Sequence, residues 1–248
     1  MAETLLGEMT RLMILSSGED VYKRQVLALA DGLGGHGFGE VASQEALLSV
    51  KECFERAGNQ GIEQAIREAF LAANQRMEKL QREVGSDADF KTTLVLLVIE
   101  GEEFVWGHIG DSRFYHFEEK TLIERSMDHS VPQMLVKAGE IREKDIRHHA
   151  DRNRLLRVLG GGEGTFNPFI AKKEPLNTGT AFLLCSDGFW EHIEERKMQK
   201  VLRRCQSAQD WAEQMEDIVK KNGKGYEMDN YSAITVCIFP EGKDGTWQ

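Results

Sequence analysis

The order of the elements that the sequence predicts constrains the fold of this chain most, because strands and helices occur in separate runs. A buried strand at 26–30 precedes two long helices with apolar faces, at 40–56 and from 62 to about 82. Runs of β-branched and aromatic residues joined by short polar turns then fill 92–124 and predict an antiparallel meander. Clustered rather than alternating runs favour an α+β fold with antiparallel sheets over a doubly wound parallel sheet.

The second half of the chain predicts a loop-rich insertion followed by a strand, two helices and a closing strand. Ser130 is the predicted N-cap of a short helix at 130–138, and the polar, glycine-rich stretch 140–164 reads as the insertion. Beyond it we predict a buried strand at 180–185, helices at 194–204 and 208–220, and a closing strand at 231–239. A chain of 248 residues, 41% of them hydrophobic, is enough for one large core.

Charge and cysteine usage exclude several classes of partner. The net charge of −10 repels nucleic acid and anionic lipid, so we expect no nucleic-acid partner. The longest apolar run, 94–99, is far shorter than a membrane span, and no secretory signal is visible at the start. Four scattered cysteines support neither a zinc site nor a disulfide framework (Cys53, Cys185, Cys205 and Cys237). We therefore predict a cytoplasmic protein, and a monomer because nothing specifies an oligomer.

The glycine cluster at 31–37, Asp-Gly-Leu-Gly-Gly-His-Gly, can be interpreted in more than one way. Its G-x-G-x-x-G spacing between a strand and a helix is formally a dinucleotide fingerprint. Asp31 directly before the first glycine counts against that interpretation, because it would face a pyrophosphate of like charge. A kinase glycine loop lacks the motifs that should follow it. The remaining interpretation makes Asp31 the functional residue, with the glycines bringing backbone close to a cation.

Four aspartates follow or precede strongly apolar strands. Asp31, Asp111 and Asp187 each end such a run, and Asp229 opens the last one. In antiparallel sheets, the end of one strand and the start of the next lie on the same edge, so these carboxylates could converge. Together they would repel one another unless divalent cations neutralise them, and all-oxygen ligands favour Mg²⁺ or Mn²⁺. The plainer interpretation is that each aspartate only marks a turn.

Six segments stand out in order over roughly residues 26–239: ADGLGGHGFGEVAS, GHIGDSRFY, DHSVPQMLVKAGEI, RNRLLRVLG, LLCSDGFWE and DNYSAITV. In order and rough spacing they resemble the metal-dependent protein phosphatases, the PPM or type-2C family, in its bacterial branch. The resemblance implies a four-layer α-β-β-α sandwich, with two antiparallel sheets flanked by helix pairs. It also implies hydrolysis of phosphoserine and phosphothreonine in proteins with Mn²⁺ or Mg²⁺, by a water that bridges two cations.

Carried over to this chain, the resemblance assigns Asp31 as the carboxylate between two metal ions and the Gly32 carbonyl as a ligand of the second. Asp187 and Asp229 resemble further ligands of the first ion, and Asp111 resembles a ligand of a third, weaker ion. His36 could donate a proton to the leaving group, since imidazole titrates near neutral pH, or it could only order the loop and a metal-bound water. Phosphorylated proteins, the targets of a bacterial Ser/Thr kinase, are the expected partners.

Three other features remain open between chemistry and structure. The segment Asp128-His129-Ser130 is expected to order a turn and a helix start, and Thr92-Thr93 to be structural on a core strand. Arg113 is expected to pair with a nearby acid. A basic cluster overlaps the family's flap, and either attracts acidic substrates or is a solvated surface. Its members are Arg147, His148, His149, Arg152, Arg154 and Arg157.

The N-terminal segment departs from the family pattern. The family carries an Arg that grips the substrate phosphate and then Asn-Glu-Asp, whereas this chain has Gly18-Glu19-Asp20. The stretch SSGEDVYKRQ also resembles translated sequencing-adapter read-through. We interpret 1–25 as an atypical segment, with a non-native origin as one interpretation, 26–240 as the phosphatase domain with a flap at about 140–164, and 241–248 as a tail. The alternative function is a weakly active or inactive phosphatase-like regulator that binds metal and phosphoprotein.

Overall fold

The computed structural model describes residues 2–5, 10–17, 24–34, 37–58, 60–85, 88–225 and 228–238. Two long helices follow each other early in the chain, and shorter ones occupy its second half. A 3₁₀ helix spans Glu143–His148 within the flap region. The α-helices are α1 (Phe38–Arg56), α2 (Ile62–Val84), α3 (Val131–Lys137), α4 (Asp187–Trp190), α5 (Glu195–Leu202) and α6 (Ala208–Gly223).

The strands of the described residues form two sheets in which every pairing is antiparallel. In chain order they are β1 (Ala2–Leu5), β2 (Thr10–Ser17), β3 (Arg24–Leu33), β4 (Lys91–Thr92), β5 (Leu94–Glu100), β6 (Glu103–Ile109), β7 (Arg113–Glu118), β8 (Thr121–Arg125), β9 (Phe169–Ile170), β10 (Glu174–Pro175), β11 (Thr180–Cys185) and β12 (Ala233–Cys237). The first sheet has the order β1-β12-β11-β7-β8. The second has the order β10-β6-β5-β3-β2, with β4 beside β3 and β9 beside β6.

Side-chain alternation along the strands divides the core into three layers of contacts. On β3, Leu27 and Leu29 point between the sheets, where they join Trp106, Phe114 and other residues of both sheets. The alternate residues of β3 (Val26, Ala28 and Ala30) pack against α1 and α2. The outer face of the first sheet packs in the same way against α5 and α6. Helices on both outer faces of two stacked sheets confirm the predicted α+β, four-layer α-β-β-α sandwich.

The predicted meander over 92–124 is wrong in one respect, since the chain changes sheets within it. β5 and β6 form a hairpin in the second sheet, whereas β7 and β8 form a hairpin in the first. The change occurs at Gly110–Ser112, where Gly110 has a positive φ of 103°. Alternation of apolar residues is the same on both sides of this point, so the local pattern carries no sign of the different partner strands.

The other predicted elements are present with small shifts of their ends. The strand at 180–185 has the predicted bounds, α1 and α2 each extend two residues beyond them, and α6 extends to Gly223. The closing strand is shorter than predicted, at Ala233–Cys237. The four cysteines are buried. No described helix combines the length and apolar character that crossing a bilayer requires.

The described strands of the N-terminal segment pair with the sheets. Residues 2–5 lie antiparallel to β12, and residues 10–17 lie antiparallel to β3. β3 itself begins at Arg24, whose guanidinium pairs with Glu100 and donates to the Gln60 carbonyl at 2.6 Å. The division of the chain at residues 25 and 240 stays a prediction.

Candidate metal centre

A cavity of about 510 Å³ opens at one edge of the sandwich and is lined by all four predicted aspartates, Asp31, Asp111, Asp187 and Asp229. Asp31 belongs to β3 of the second sheet, and Asp111 follows β6 of that sheet. Asp187 follows β11 of the first sheet, and Asp229 precedes β12. Residues that are far apart in the chain therefore meet where the two sheets end together. The expectation that these side chains share one site agrees with this placement.

The backbone of Asp31 is held by the two threonines that follow the second helix. Its amide donates to Thr93 Oγ1 at 3.1 Å, and its carbonyl accepts from the Thr93 amide at 2.9 Å and from Thr92 Oγ1 at 2.8 Å. Both threonines are fully buried. Thr92-Thr93 is thus structural, as expected, and its structural task is to fix the strand end that carries Asp31.

Gly32 lines the cavity beside Asp31, at a place where no side chain fits. A Cβ on Gly32 would lie 1.9 Å from the Gly39 carbonyl oxygen, and a Cβ on Gly39 would lie 2.9 Å from Leu33 O. The start of α1 therefore packs directly on the end of β3. This contact explains why glycines occupy both positions, and it leaves the backbone of Gly32 at the cavity wall.

Asp111 lies on the short connection by which the chain changes sheets. It is buried, and its carbonyl accepts from Trp190 Nε1 at 3.0 Å. The preceding Gly110 packs against Thr93, whose side chain a Cβ at position 110 would meet at 2.6 Å. Gly110 also exchanges two hydrogen bonds with His129, from its amide to Nδ1 and from the His129 amide to its carbonyl. The connection that carries Asp111 is therefore held on both sides.

Asp187 and Asp229 approach each other because glycine follows Asp187. A Cβ on Gly188 would lie 2.5 Å from the Asn230 carbonyl oxygen and 3.0 Å from that of Asp229. The amide of Gly188 donates to Asp187 Oδ1 at 2.7 Å, and the amide of Asn230 donates to Asp229 Oδ1 at 2.8 Å. Ser186 and Ser232 join the two segments through a pair of hydrogen bonds.

Burial, and then mutual repulsion, raise the pKa of two of these carboxyl groups. Burial raises the pKa of Asp111 well above its usual range, and the negative charges of Asp187, Asp128 and Asp31 raise it further. The pKa of Asp187 is also raised, by burial and then by Asp229, although hydrogen bonds from Gly188 and Asp31 oppose the shift. The cavity therefore concentrates negative charge that a cation would stabilise.

Oxygen donors of this kind fit Mn²⁺ or Mg²⁺, both of which prefer carboxylate and carbonyl ligands. Four carboxyl groups and the Gly32 backbone face the cavity, with buried, like-charged neighbours. As they stand, no three or more His, Cys, Asp or Glu side chains within the described ranges are grouped so as to hold an ion. The donor set fits the metals in kind, and the assignment of each ligand stays a prediction.

The predicted catalytic histidine, His36, lies outside the described residues, as does Gly35. The expectation that Asp128-His129-Ser130 orders a helix start is borne out in Ser130, whose Oγ accepts from the Gln133 amide at the beginning of α3. Arg113 pairs with an acid as expected. Its Nε and Nη2 donate to the two oxygens of Asp128 at 2.8 and 2.7 Å, with both side chains buried.

The basic cluster is partly neutralised by acids of α4 and α5 and their flanks. Arg147 Nη2 lies 2.6 Å from Glu195 Oε1, and Arg152 Nε lies 2.8 Å from Glu191 Oε1. These pairs tie the flap region to the domain. Glu191 itself was missed by sequence reasoning: burial, and then the charge of Asp187, raise its pKa to about 7. Its position four residues after Asp187, one helical turn on, was the signal that could have found it.

Comparison with known proteins defines the class of this fold and site. The profile of the family described as Protein phosphatase 2C matches residues 18–223. The serine/threonine phosphatase stp of Listeria welshimeri is 30% identical over 236 residues, which cover 92% of this chain and 91% of that protein. The chain therefore belongs to the protein phosphatase 2C family, and the resemblance and the predicted enzyme class, a protein serine/threonine phosphatase, are confirmed.

Solved structures share the fold. The serine/threonine phosphatase Stp1 from Staphylococcus aureus superposes with a TM-score of 0.84 at 24% identity, covering 96% of this chain and 95% of that one. The catalytic domain of the phosphatase PstP, in complex with two manganese ions, superposes with a TM-score of 0.78 at 24% identity and covers 97% of each chain. The predicted cofactor class agrees with the ions of that complex.

Proposed function

We propose that this chain hydrolyses phosphoserine and phosphothreonine in proteins, with Mn²⁺ or Mg²⁺ held in the cavity that the four aspartates line. The observation that carries the proposal is the convergence of carboxyl groups from both sheets on one cavity, where burial and like charge raise the pKa of Asp111 and Asp187. Binding of divalent cations would stabilise a cavity of this kind, because they offset the repulsion among its carboxylates. Family membership supplies the reaction class.

Asp31, Asp187, Asp229 and the Gly32 carbonyl would hold two ions, and Asp111 would hold a third with Asp187. When bound, divalent cations activate a water for attack on phosphorus and offset the charge of the phosphoryl oxygens. The chain's other residues would contribute by positioning these ligands. Thr92 and Thr93 fix the end of β3, Trp190 holds the Asp111 carbonyl, and Gly188 lets the 229–230 backbone approach Asp187.

Proton delivery to the leaving serine or threonine oxygen is assigned to His36, with ordering of the loop as the alternative role. The proposal also includes phosphorylated targets of a bacterial Ser/Thr kinase as substrates, a monomeric state and a cytoplasmic location. Nucleic acid is not a proposed partner, because the net charge of −10 and a phosphate backbone repel each other.

The test is metal-dependent hydrolysis of p-nitrophenyl phosphate. We expect activity with Mn²⁺ that EDTA abolishes, and loss on the order of 10³-fold in Asp187→Ala and Asp229→Ala without loss of fold. Asp217→Ala, on the exposed side of α6, is the matched control and should keep full activity. Activity that survives EDTA would refute the proposal.

The second candidate function is a weakly active phosphatase-like regulator that binds metal and phosphoprotein. The observation that favours it is Gly18-Glu19-Asp20 in place of the family's N-terminal motif, with no phosphate-gripping Arg upstream at the family's position. It predicts Mn²⁺ binding by calorimetry with little turnover. Replacing residues 1–25 by a family-like N-terminus would then restore turnover.

A further inference from the structure

A second cavity, of about 500 Å³, lies next to the carboxylate cavity and is not explained by the metal chemistry. Its lining comes from β6, from the segment 124–137 that includes α3, and from the base of the flap at 156–157 and 167–169. Leu156 lines both cavities, so the two are neighbours that share a wall. We refer to this second cavity as the Met134 groove.

The Met134 groove gathers large exposed apolar side chains from separate segments of the chain. Nine large apolar side chains in the described part of the chain are exposed, and four of them line this groove. They are Met127, Met134, Leu156 and Phe169, with exposed fractions between 42% and 52%. Exposed apolar side chains gathered in a concave site next to a catalytic centre are typical of ligand binding, and methionine adapts to ligands of varied shape.

The charged side chains that line the groove favour a ligand that carries an acidic group beside an apolar one. Lys137 and Arg157 line it, and neither has an ion-pair partner among the described side chains. Arg125 is committed to Asp128 and Glu143, and Asp128 is in turn committed to Arg113. Glu124 accepts from Trp106 Nε1 at 3.2 Å. The charged lining residues are three cations (Arg125, Lys137 and Arg157) and two anions (Glu124 and Asp128), so the groove has a net positive charge that favours an acidic ligand group.

We propose that the Met134 groove binds a segment of the phosphoprotein substrate beside the phosphorylated residue, with an apolar side chain against Met127, Met134 and Phe169 and an acidic one toward Lys137 and Arg157. The inference rests on the proposed phosphatase function and deepens it. The shared wall at Leu156 places this segment next to the residue being hydrolysed. The groove is thus a specificity site for sequence, separate from the metals.

Turnover of phosphoserine peptides built otherwise of Ala and Gln tests the proposal. Leu followed by Asp is moved through about five positions on each side of phosphoserine, since an extended peptide advances roughly 3.3 Å per residue. At one register we expect kcat/KM to rise about tenfold over the parent peptide, chiefly through KM. Met134→Glu should abolish this preference, measured as the ratio of peptide to p-nitrophenyl phosphate turnover. Lys137→Glu should abolish only the part due to Asp.

Leu71→Glu, an equally exposed apolar residue on α2 outside the groove, is the matched control and should keep the preference. The proposal would be refuted if Met134→Glu and Leu71→Glu changed the ratio of peptide to p-nitrophenyl phosphate turnover equally. It would also be refuted if no register of the peptide showed a preference. A change of oligomeric state in Met134→Glu alone would assign the surface to a second copy instead. Fluorescence anisotropy of the dye-labelled, unphosphorylated peptides tests the groove separately, because it needs no turnover. Absent turnover with retained, Met134-dependent binding would refute the proposed function but not the groove.

Discussion

Two buried aspartates lie in neighbouring regions of this molecule and have opposite electrostatic surroundings. Asp128 receives a two-pronged interaction from Arg113, which lowers its pKa although burial opposes the shift. Asp111 is also buried, but the charges acting on it are those of Asp187, Asp128 and Asp31, and they raise its pKa. Trp190 connects the regions, since its ring stacks 3.4 Å from the Arg113 guanidinium and its Nε1 donates to Asp111.

The difference separates carboxylates that hold the fold together from those available for chemistry. Asp128 has its counter-charge within the chain, so its ionised form is stabilised whatever else is bound. Asp111 and Asp187 have like charges around them, so a bound cation would stabilise their ionised forms. The Arg113–Asp128 ion pair and the carboxyl groups of Asp111 and Asp187, which lack such a partner in direct contact among the described residues, thus lie in neighbouring regions.

The largest expected difference between the two regions is in turnover. Asp187→Asn removes a proposed ligand, and we expect p-nitrophenyl phosphate hydrolysis with Mn²⁺ to fall on the order of 10³-fold while circular dichroism stays unchanged. Asp128→Asn should lower activity only in proportion to the fraction of unfolded protein. A comparable loss in well-folded Asp128→Asn would show that the Arg113 pair takes part in catalysis.

Stability should change in the opposite order. Asp128→Ala leaves the buried Arg113 with only Glu195, 3.4 Å away and shared with Arg147, as a counter-charge. We expect the free energy of unfolding in urea to fall by about 3 kcal/mol. Asp111→Ala, measured without metal, removes one of several repelling charges and should cost at most about 1 kcal/mol. Equal losses for the two variants would contradict the distinction. The double variant Arg113→Met/Asp128→Leu should recover part of the loss.

The stabilisation of the fold by Mn²⁺ should require Asp187 and should be nearly independent of Asp128. At about 100 times its Kd, a bound ion raises the free energy of unfolding by about 2.7 kcal/mol. We expect this increment, followed by thermal unfolding, to disappear in Asp187→Asn and to persist in Asp128→Asn. An increment that survives in Asp187→Asn would place the ion elsewhere.

Acid should weaken the fold through histidines beside the Asp128 region. Burial lowers the pKa of His108 to about 4, from 6.5 in the unfolded chain. The unfolded state therefore binds the proton first as pH falls. Stability is full above pH 6.5 and is lost toward pH 4, by about 2 kcal/mol between pH 7 and 5. Burial also lowers the pKa of the stacked His129 to about 3, which adds in the same direction.

The raised pKa of Asp111 acts in the opposite sense in metal-free protein, because the folded state then takes up the proton first. The measurement is therefore made by urea unfolding at several pH values on the Asp111→Asn/Asp187→Asn background. On that background, adding His108→Gln should reduce the pH dependence. An unchanged dependence would assign acid sensitivity to other groups.

The sequence predicts what short-range pattern and turn chemistry encode. The strand at 180–185, the two long helices and the four aspartates at strand ends all follow from apolar periodicity broken by Asp, Gly and Asn. The change of sheet at Gly110 does not, because Ile109 pairs with Leu94 and Arg113 pairs with Cys185, and partner strands distant in sequence decide it. The Met134 groove escapes prediction for the same reason, since three separated segments form it.

The close approaches between backbone segments could not be predicted from the sequence either. Gly39 and Gly188 each let a distant segment approach the cavity, and no local pattern in the sequence indicates this. Thr92-Thr93 carried a signal for a core strand but none for its bonds to Asp31. Such tasks become visible only when the partner segment is in place.

The connection at Gly110–Ser112 spans from one sheet to the other and carries Asp111 midway, while Asp31 belongs wholly to the second sheet and Asp187 follows a strand of the first. The distances among these carboxylates are therefore set by the thickness of the apolar layer between the sheets, which includes Leu29 and Phe182. A substitution that thins or swells this layer would alter ion affinity while the chain still folds. Under the proposed ligand assignment, we therefore expect cation affinity to change with the spacing between the sheets.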